Sequence, residues 1–578
     1  MSFSSISSIA TSSMMAAQLR MQVASSNIAN ADTAGYTEKT ANQATVVTAG
    51  VGSGAQITSI TSSVDKYLLA DLASANTDLG AANVNASYAD NLGSLVGSVA
   101  SDTNSGTSLS DLLASLQSAL SSLSTTPESE TLSAQATDAF DAVTSQLRQT
   151  SSDVQSLRAN ASGEISDDVS SVNDALTQIG DLNKQIASAK AEGQSTADLE
   201  DQRNEALQTV SGFMNVNYYV NSSGVMQVST AGGTPLVDNS VHTLSYSPTS
   251  GVTADTVFSP INVDGKDVTS EITSGSIGAL INQRDTGLPA VQNELDSLAN
   301  TLSASVNAVY NTLTSNPPPT TLTGTTPVAA TDSFSGSGTV RIAVTDQSGD
   351  LVSYKDLDLS QYATVGDVVD ALNSISGVSA SVSNGTLKLT STDSSDGIAI
   401  GGTGDTVGTS SQGFSAYFGL NDLLTGTGAA SIAVRSDILA TPDSFATATL
   451  DTDADPAIGS SVLTTSGSGI DDLYSALTGD ASFSAAGSLS ARTASFTDYA
   501  GSIIAQIATN SASADTVQTS KQTAYSTLSD SFSSSTGVNL DEETANLTSL
   551  QQEYSVSAQL LSVLKTMFES LLQAAQAT

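Results

Sequence analysis

Few residues in this chain have the type and spacing to do chemistry. His242 is the single histidine and there is no cysteine. Disulfides, thiolate metal sites, cysteine nucleophiles and any site needing two imidazoles from one chain are therefore excluded. Asp451-Thr452-Asp453-Ala454-Asp455-Pro456 alternates carboxylates as a calcium loop does. However, Pro456 stands where an EF-hand needs glycine, and Val462 occupies the place of its bidentate glutamate. A solvated acidic loop is expected there. Gly50-Val51-Gly52-Ser53-Gly54 begins like a dinucleotide loop but lacks the final glycine, and no helix clearly follows. It reads as a turn. No G-x-S-x-G elbow, P-loop or H-E-x-x-H stretch is present. His242 reads as an exposed loop or strand residue. No catalytic, cofactor-binding or metal-binding residue is expected, and the chain reads as non-enzymatic.

Composition points the same way. Seventeen basic against 58 acidic residues give a net charge of −41, which repels phosphate backbones and anionic lipid surfaces. Nucleic-acid binding and membrane insertion are not expected. Only 13% of the 578 residues are charged while 39% are apolar, so cores can form under a Ser/Thr-rich surface. The length suggests about three to five domains. Met1-Ser2-Phe3-Ser4-Ser5-Ile6 has neither a basic region nor a continuous apolar stretch. A general-secretory signal peptide is not expected.

The elements that would hold these residues suggest a multidomain α+β fold. Residues 1–64 read as a helix with Ile6, Ile9, Ala16, Leu19 and Val23 on one stripe, ending near Asn30, then an extended segment or hairpin. Residues 65–316 read as an antiparallel helical domain with a β-hairpin. Its helices are expected at Val64–Ala75, Leu109–Leu123, Leu132–Leu157, Val169–Ile186, Thr196–Val210 and Leu288–Thr314. The period switches to two at Val216, Tyr218 and Val220, and Asn221–Gly224 turns the hairpin. Pro317-Pro318-Pro319 reads as a stiff linker. Residues 320–450 read as an inserted, mainly β domain with a helix at Val365–Ser374, and 451–470 as a flexible tract. Residues 471–578 return to helix and are expected to pair with the N-terminus in a coiled-coil-like bundle.

The last helix has the most regular pattern. Leu547, Leu550, Tyr554, Ser557, Leu561, Leu564, Phe568 and Leu571 follow at steps of three and four, the seam of a coiled coil. Fully buried, such a seam gains on the order of 10–20 kcal/mol gross, much of it offset by the entropy of ordering. It reads either as a core helix of a monomer or as an intersubunit bundle that also docks a chaperone.

Ser26-Asn27-Ile28-Ala29-Asn30-Ala31-Asp32-Thr33-Ala34-Gly35-Tyr36 resembles the N-terminal signature of bacterial flagellar axial proteins, shared by rod, hook and junction subunits. Gly537-Val538-Asn539-Leu540-Asp541-Glu542-Glu543, Ala545-Asn546-Leu547 and Gln551-Gln552-Glu553-Tyr554 are similar to the hook-associated protein 1 family of hook–filament junction proteins. So are Leu199–Glu205 (L-x-D-Q-R), Ala231–Val237 (G-G-x-x-L-V), Gly278–Asp285 (G-x-L-x-x-x-R-D) and Phe418–Gly426. Val556, Asn204 and Leu423-Leu424 depart from the family pattern.

The resemblance implies a structural protein exported unfolded through the flagellar type III channel without a cleaved signal peptide. It implies an extracellular place at the hook–filament junction, helical self-assembly, and terminal helices lining an inner tube. The implied partners are further copies of itself, the hook protein, the second junction protein (hook-associated protein 3) and an export chaperone. No cofactor is implied. Asn27, Ile28, Asn30, Gly35 and Tyr36 form the expected assembly motif, which also reads as an ordinary helix cap and turn. Leu547, Leu550, Tyr554, Leu561, Leu564, Phe568 and Leu571 form the expected intersubunit or chaperone seam. A hook protein or other axial subunit, and a secreted adhesin using the 320–450 domain, are the alternative readings.

Overall fold

Small and apolar residues recurring at helical spacing dictate the long helices at both chain ends. The computed structural model describes residues 3–48, 50–97, 108–452 and 455–576; Asp453 and Ala454 of the acidic loop lie outside them. Helix α1 (Phe3–Ala29) stops as the sequence suggests. Asn30 N donates to Ser26 O at 3.1 Å, and Gly35 takes a φ of +74°, which costs little without a Cβ. Strands β1 (Lys39–Thr48) and β2 (Val51–Ser62) follow as an antiparallel hairpin.

Helix α2 (Lys66–Leu95) runs well beyond the expected Ala75, because buried Leu79, Ala82 and Ala86 continue the stripe of Leu69 and Leu72. Helix α3 (Leu109–Thr125) begins at a capping box made by Ser108 and Asp111. The two helices expected at Leu132–Leu157 and Val169–Ile186 are one, α4 (Glu130–Ala191). Buried Ala161 and Ile165 bridge the stripe between Leu157 and Val169. Gly163 costs that helix only about 1 kcal/mol. Helix α5 (Ala197–Phe213) starts after Thr196, whose hydroxyl donates to the Glu200 carboxylate at 2.8 Å rather than capping an amide.

Strands β3 (Val216–Val220), β4 (Met226–Thr230) and β5 (Pro235–Val237) make one antiparallel sheet around the expected hairpin. Strands β6 (Leu244–Ser245), β7 (Asn262–Val263) and β8 (Lys266–Asp267) make another. Helix α6 (Gly275–Asn282) leads through a π turn into α7 (Leu288–Tyr310).

The β-rich segment contains β9 (Thr321–Thr323), β10 (Gly336–Thr345), β11 (Leu351–Asp358), α8 (Val365–Asn373), β12 (Val378–Ser383), β13 (Thr386–Ser391) and β14 (Gly397–Val407). Two antiparallel sheets, β11-β10-β14 and β12-β13-β9, share a core of Val340, Ile342, Leu372, Leu387, Leu389 and Ile398. The proline run is packed rather than free. Pro318 is buried, and Pro319 O accepts from Ile398 N at 2.9 Å. Short helices α9 (Phe414–Phe418), α10 (Ser436–Ala440) and α11 (Gly467–Thr478) precede the long α12 (Phe496–Thr536) and α13 (Leu540–Gln576). Between α10 and α11, Leu463–Thr465 pairs with Ala448–Leu450.

The chain divides into two units. One comprises 1–88, 159–284 and 512–578, and contains both chain ends; the other comprises 89–158 and 285–511, and contains the β-rich segment. Among the described residues no helix is long and apolar enough to cross a membrane.

Candidate functional site

In the first unit α1 packs along α13. The buried face of α1 consists of Ala10, Ala16, Ala17, Val23 and Ala24, while the expected Ile6, Ile9 and Leu19 are only half-buried. Alanine lets two helices approach closely, so the contact depends on small residues more than on the larger stripe. On α13, Leu550 and Ser557 are buried, and Leu547, Tyr554, Leu561 and Leu564 are half-buried. Phe568 and Leu571 remain 58% and 55% exposed. The seam is thus partnered within the chain along its first half and uncovered at its far end. Arg20 and Glu553 pair across it at 3.4 Å, an exposed ion pair worth at most about 1 kcal/mol.

The other side of α1 rests on the β1–β2 hairpin. Ala55 N donates to Ser12 Oγ at 3.2 Å. A Cβ on Gly54 would stand 2.2 Å from that same oxygen, so glycine is needed where helix and hairpin touch.

At the C-terminal end of α1 lies a buried polar node. Asn27, fully buried, donates through Nδ2 to Lys39 O and to Glu543 Oε1, both at 2.9 Å. Its Oδ1 accepts from Tyr36 OH at 2.9 Å and Lys39 N at 3.0 Å. Every hydrogen-bonding capacity of the amide is thereby used. One step further, Thr37 donates to Asp201 from N at 3.0 Å and from Oγ1 at 2.7 Å. Lys39 Nζ donates to Thr37 Oγ1 and to the Asp201 carboxylate, and lies 4.7 Å from the centre of the Tyr36 ring. Lys39, Asp201 and Glu543 are all buried, which such charges tolerate only when paired and hydrogen-bonded. The node ties the N-terminal signature, the L-x-D-Q-R stretch on α5 and the D-E-E stretch on α13 into one constellation.

Three electrostatic consequences follow. Burial raises the Glu38 carboxyl above its ordinary value, with repulsion from Glu543 and Glu542 adding to it. Burial likewise raises the Tyr36 phenol. Arg203, one residue pair along from Asp201, has its pKa lowered by burial. It donates to Asn183 Oδ1 at 3.1 Å and Gly224 O at 2.6 Å, fastening the β3–β4 turn to α4 and α5.

Of the expected motif residues, Asn27 and Tyr36 belong to the node and Gly35 makes the turn. Asn30 bonds Ser26 O at 2.9 Å as a helix cap, and Ile28 is half-buried beside it. Sequence reasoning assigned no role to Thr37, Lys39, Asp201 or Glu543. The only available signal was that Asp201 and Glu543 lay within stretches already recognisable for other reasons.

The remaining motifs serve structure. Glu271 accepts from Thr230, Thr234 and Lys266. Lys266 first, then the two hydroxyls, brings its carboxyl down to about 2. A Cβ on Gly232 would stand 2.5 Å from Glu271 Cδ, and Gly233 takes a φ of +89°, which together explain the G-G of that stretch. Arg284 stacks 4.5 Å from the Phe258 ring centre and donates to Tyr246 OH at 2.8 Å. In the second unit, Asn421 Nδ2 donates to Leu313 O at 2.7 Å and Asn311 Nδ2 to Asp422 Oδ1 at 2.6 Å. These bonds secure the chain beyond the end of α7. His242 is only partly exposed; its Nδ1 lies 2.6 Å from Asp264 Oδ2 and its Nε2 3.2 Å from Asp238 Oδ1. Among the described residues no group of three or more His, Asp or Glu side chains could hold a metal ion.

Sequence matches to known proteins extend over nearly the whole chain. Residues 96–314 match the family model of the flagellar hook-associated protein FlgK helical domain. Residues 8–37 match that of the flagella basal body rod protein, and 529–574 the C-terminal region of the basal body rod FlgEFG proteins. Residues 339–393 match the flagellin hook IN motif. Flagellar hook-associated protein 1 of Salmonella typhimurium and of Salmonella typhi are each 24% identical over 592 aligned positions, covering 98% of this chain and 99% of theirs. The chain is therefore similar to flagellar hook-associated protein 1 along nearly its whole length and carries the match to that family's helical domain. The flagellar hook junction protein FlgK from Burkholderia pseudomallei shares the fold, with a TM-score of 0.50 at 16% identity over 80% of this chain and 98% of that one. The two rod-type matches fall on α1 with its turn and on the end of α12 with α13, and the polar node fastens α1 to α13.

Proposed function

We propose that the chain is a structural protein of the bacterial flagellum that joins hook to filament, assembling through its paired terminal helices. The observation that carries this reading is the α1–α13 pair, held by the node around Asn27, whose far end leaves Phe568, Leu571, Leu560, Val563 and Met567 uncovered. A helix that keeps large apolar residues in water gains by burying them against a further copy. Layers of this kind use different patches on the two neighbours, so that contacts repeat without closing a dimer.

The seam from Leu547 to Leu571 serves two occupants in turn. An export chaperone covers it before secretion; afterwards α1 covers its first half and neighbouring copies its far end. The Asn27, Ile28, Asn30, Gly35 and Tyr36 turn redirects the chain from the inner tube towards the outer bodies. Export through the type III channel without a cleaved signal suits a chain with no cysteine to form a disulfide. The hook protein and hook-associated protein 3 are the neighbours below and above. The protein performs no catalysis; its work is mechanical.

The test is to mix purified chain with isolated hook ends and follow the product by electron microscopy. A junction protein stops after a short layer that then accepts filament. Long curved tubes would make it a hook protein instead, and absence of binding to hook ends would remove the assignment.

A further inference from the structure

The polar node leaves unused the cleft beside it in the same unit. Ala34 and Gly35 of the signature turn, Leu72 of α2, Gln208 of α5, and Tyr525 and Phe532 of α12 border a space of about 630 Å³, the size of a site for a ligand or an anchoring side chain. Asp32 and Glu205 contribute acidic groups to its lining. Gln208 Nε2 donates to Leu69 O at 3.3 Å, while its Oε1 is buried without a hydrogen-bond partner. A buried acceptor left unmet costs about 1–3 kcal/mol. A fitting guest brings a ring for the apolar walls, a donor for Gln208 Oε1 and a cation for Asp32 and Glu205.

The same chain carries that guest. Tyr67, at the start of α2, is 86% exposed, and exposed Lys66 precedes it. Among the described residues neither side chain has a hydrogen-bond or ion-pair partner. A rigid ring with a polar tip is the usual anchor of a protein interface. In a chain of net charge −41, a lysine outside any ion pair is suited to an acidic cleft. We propose that Tyr67 and Lys66 of one copy insert into this cleft on the next copy. Tyr67 lays its ring against the apolar walls with its OH towards the Gln208 amide, whose buried Oε1 turns into the cleft to accept it, and Lys66 Nζ faces Asp32 and Glu205. Knob and hole adjoin on α2, whose Leu69 and Leu72 border the hole, but they use different residues, so every copy offers both and the contact propagates. The inference rests on the assembly reading above and names one of its contacts. It also gives the small residues of the signature turn a purpose, since larger ones would narrow the cleft.

The absence of native cysteine makes disulfide trapping clean. Full-length Ala70→Cys, one turn along from Tyr67, is mixed with full-length Ala34→Cys, beside the cleft. Oxidation is run on concentrated chain and on layers formed at hook ends. The 70–34 disulfide should dominate over 70–70 and 34–34 products. Adding Tyr67→Ala should slow its formation by at least about tenfold, as loss of an anchoring aromatic does, with circular dichroism unchanged. Lys66→Glu should weaken trapping, and Glu205→Lys in the other copy should restore it.

Equal amounts of the three disulfides, an unaltered rate with Tyr67→Ala, or trapping of Ala34→Cys on hook subunits instead of a second copy would each overturn the proposal. A chain that caps hooks without the 70–34 bridge would sink this contact alone. A bridge formed by a chain that ignores hook ends would sink the junction assignment alone.

Discussion

Replacing Asn27 with alanine should detach the chain ends from one another. The substitution removes an amide that serves four partners: Lys39 N, Lys39 O, Tyr36 OH and Glu543 Oε1. Lys39 and Glu543 are 5% exposed, so water cannot easily replace what is lost. Two backbone groups at about 1 kcal/mol each and a carboxylate at about 1.5–3 kcal/mol give a total of roughly 3–5 kcal/mol. Amide exchange on the full chain reads this directly, because opening of the α1–α13 contact limits exchange in both helices. At about 1.4 kcal/mol per factor of ten, exchange in 10–27 and 540–557 should accelerate roughly 100- to 3,000-fold. The β-rich segment, in the other unit, should not change. Acceleration of under about tenfold would mean that the node is ornamental and that the pairing rests on apolar contact alone.

Glu38→Gln should tighten the same contact at neutral pH. The raised Glu38 carboxyl binds a proton more readily in the folded than in the unfolded chain. Stability at this group therefore rises as pH falls from above the folded value towards the ordinary glutamate value of 4.5. Thermal unfolding of the wild type should improve over that window, and the glutamine variant should lose that part of the improvement. Replacing both Leu561 and Phe568 with aspartate should abolish chaperone binding and assembly while leaving the β-rich segment folded, as fragment proteolysis can show. Unchanged chaperone affinity would remove the seam's first role. Arg341→Lys, in the second unit, breaks a two-pronged pair with Asp356 at 2.7 and 2.8 Å and the stacking on Tyr354. It should cost about 1–2 kcal/mol in denaturant unfolding, because an ammonium cannot reproduce the fork.

The parts legible in the sequence were those written in large apolar residues. Val216, Tyr218 and Val220 alternate as a strand should, and the helix Leu109–Thr125 carries leucines at regular spacing. On the face of α1, Ala16 and Val23 were legible but Ala10, Ala17 and Ala24 were not, because alanine carries little periodic signal in a chain full of it. The continuity of α4 was hidden by Ser162-Gly163, which reads as a break unless Ala161 and Ile165 are counted as core. Strand β11 carries little period-two signal of its own, because Lys355, Asp356 and Asp358 dilute its alternation. The node was the least visible. Its partners come from residues 27–39, 201 and 543, and no local pattern announces that a helical asparagine, a lysine and two carboxylates will meet. Resemblance flagged the stretches, and only the fold shows why each residue is there.

The central claim is that the far end of α13 is finished only by a neighbouring copy. Amide exchange of residues 560–572, measured on the free chain and again on the layer formed at hook ends, tests it most directly. The account predicts rapid exchange in the free chain and strong protection in the layer. Equal protection in the two states would contradict it.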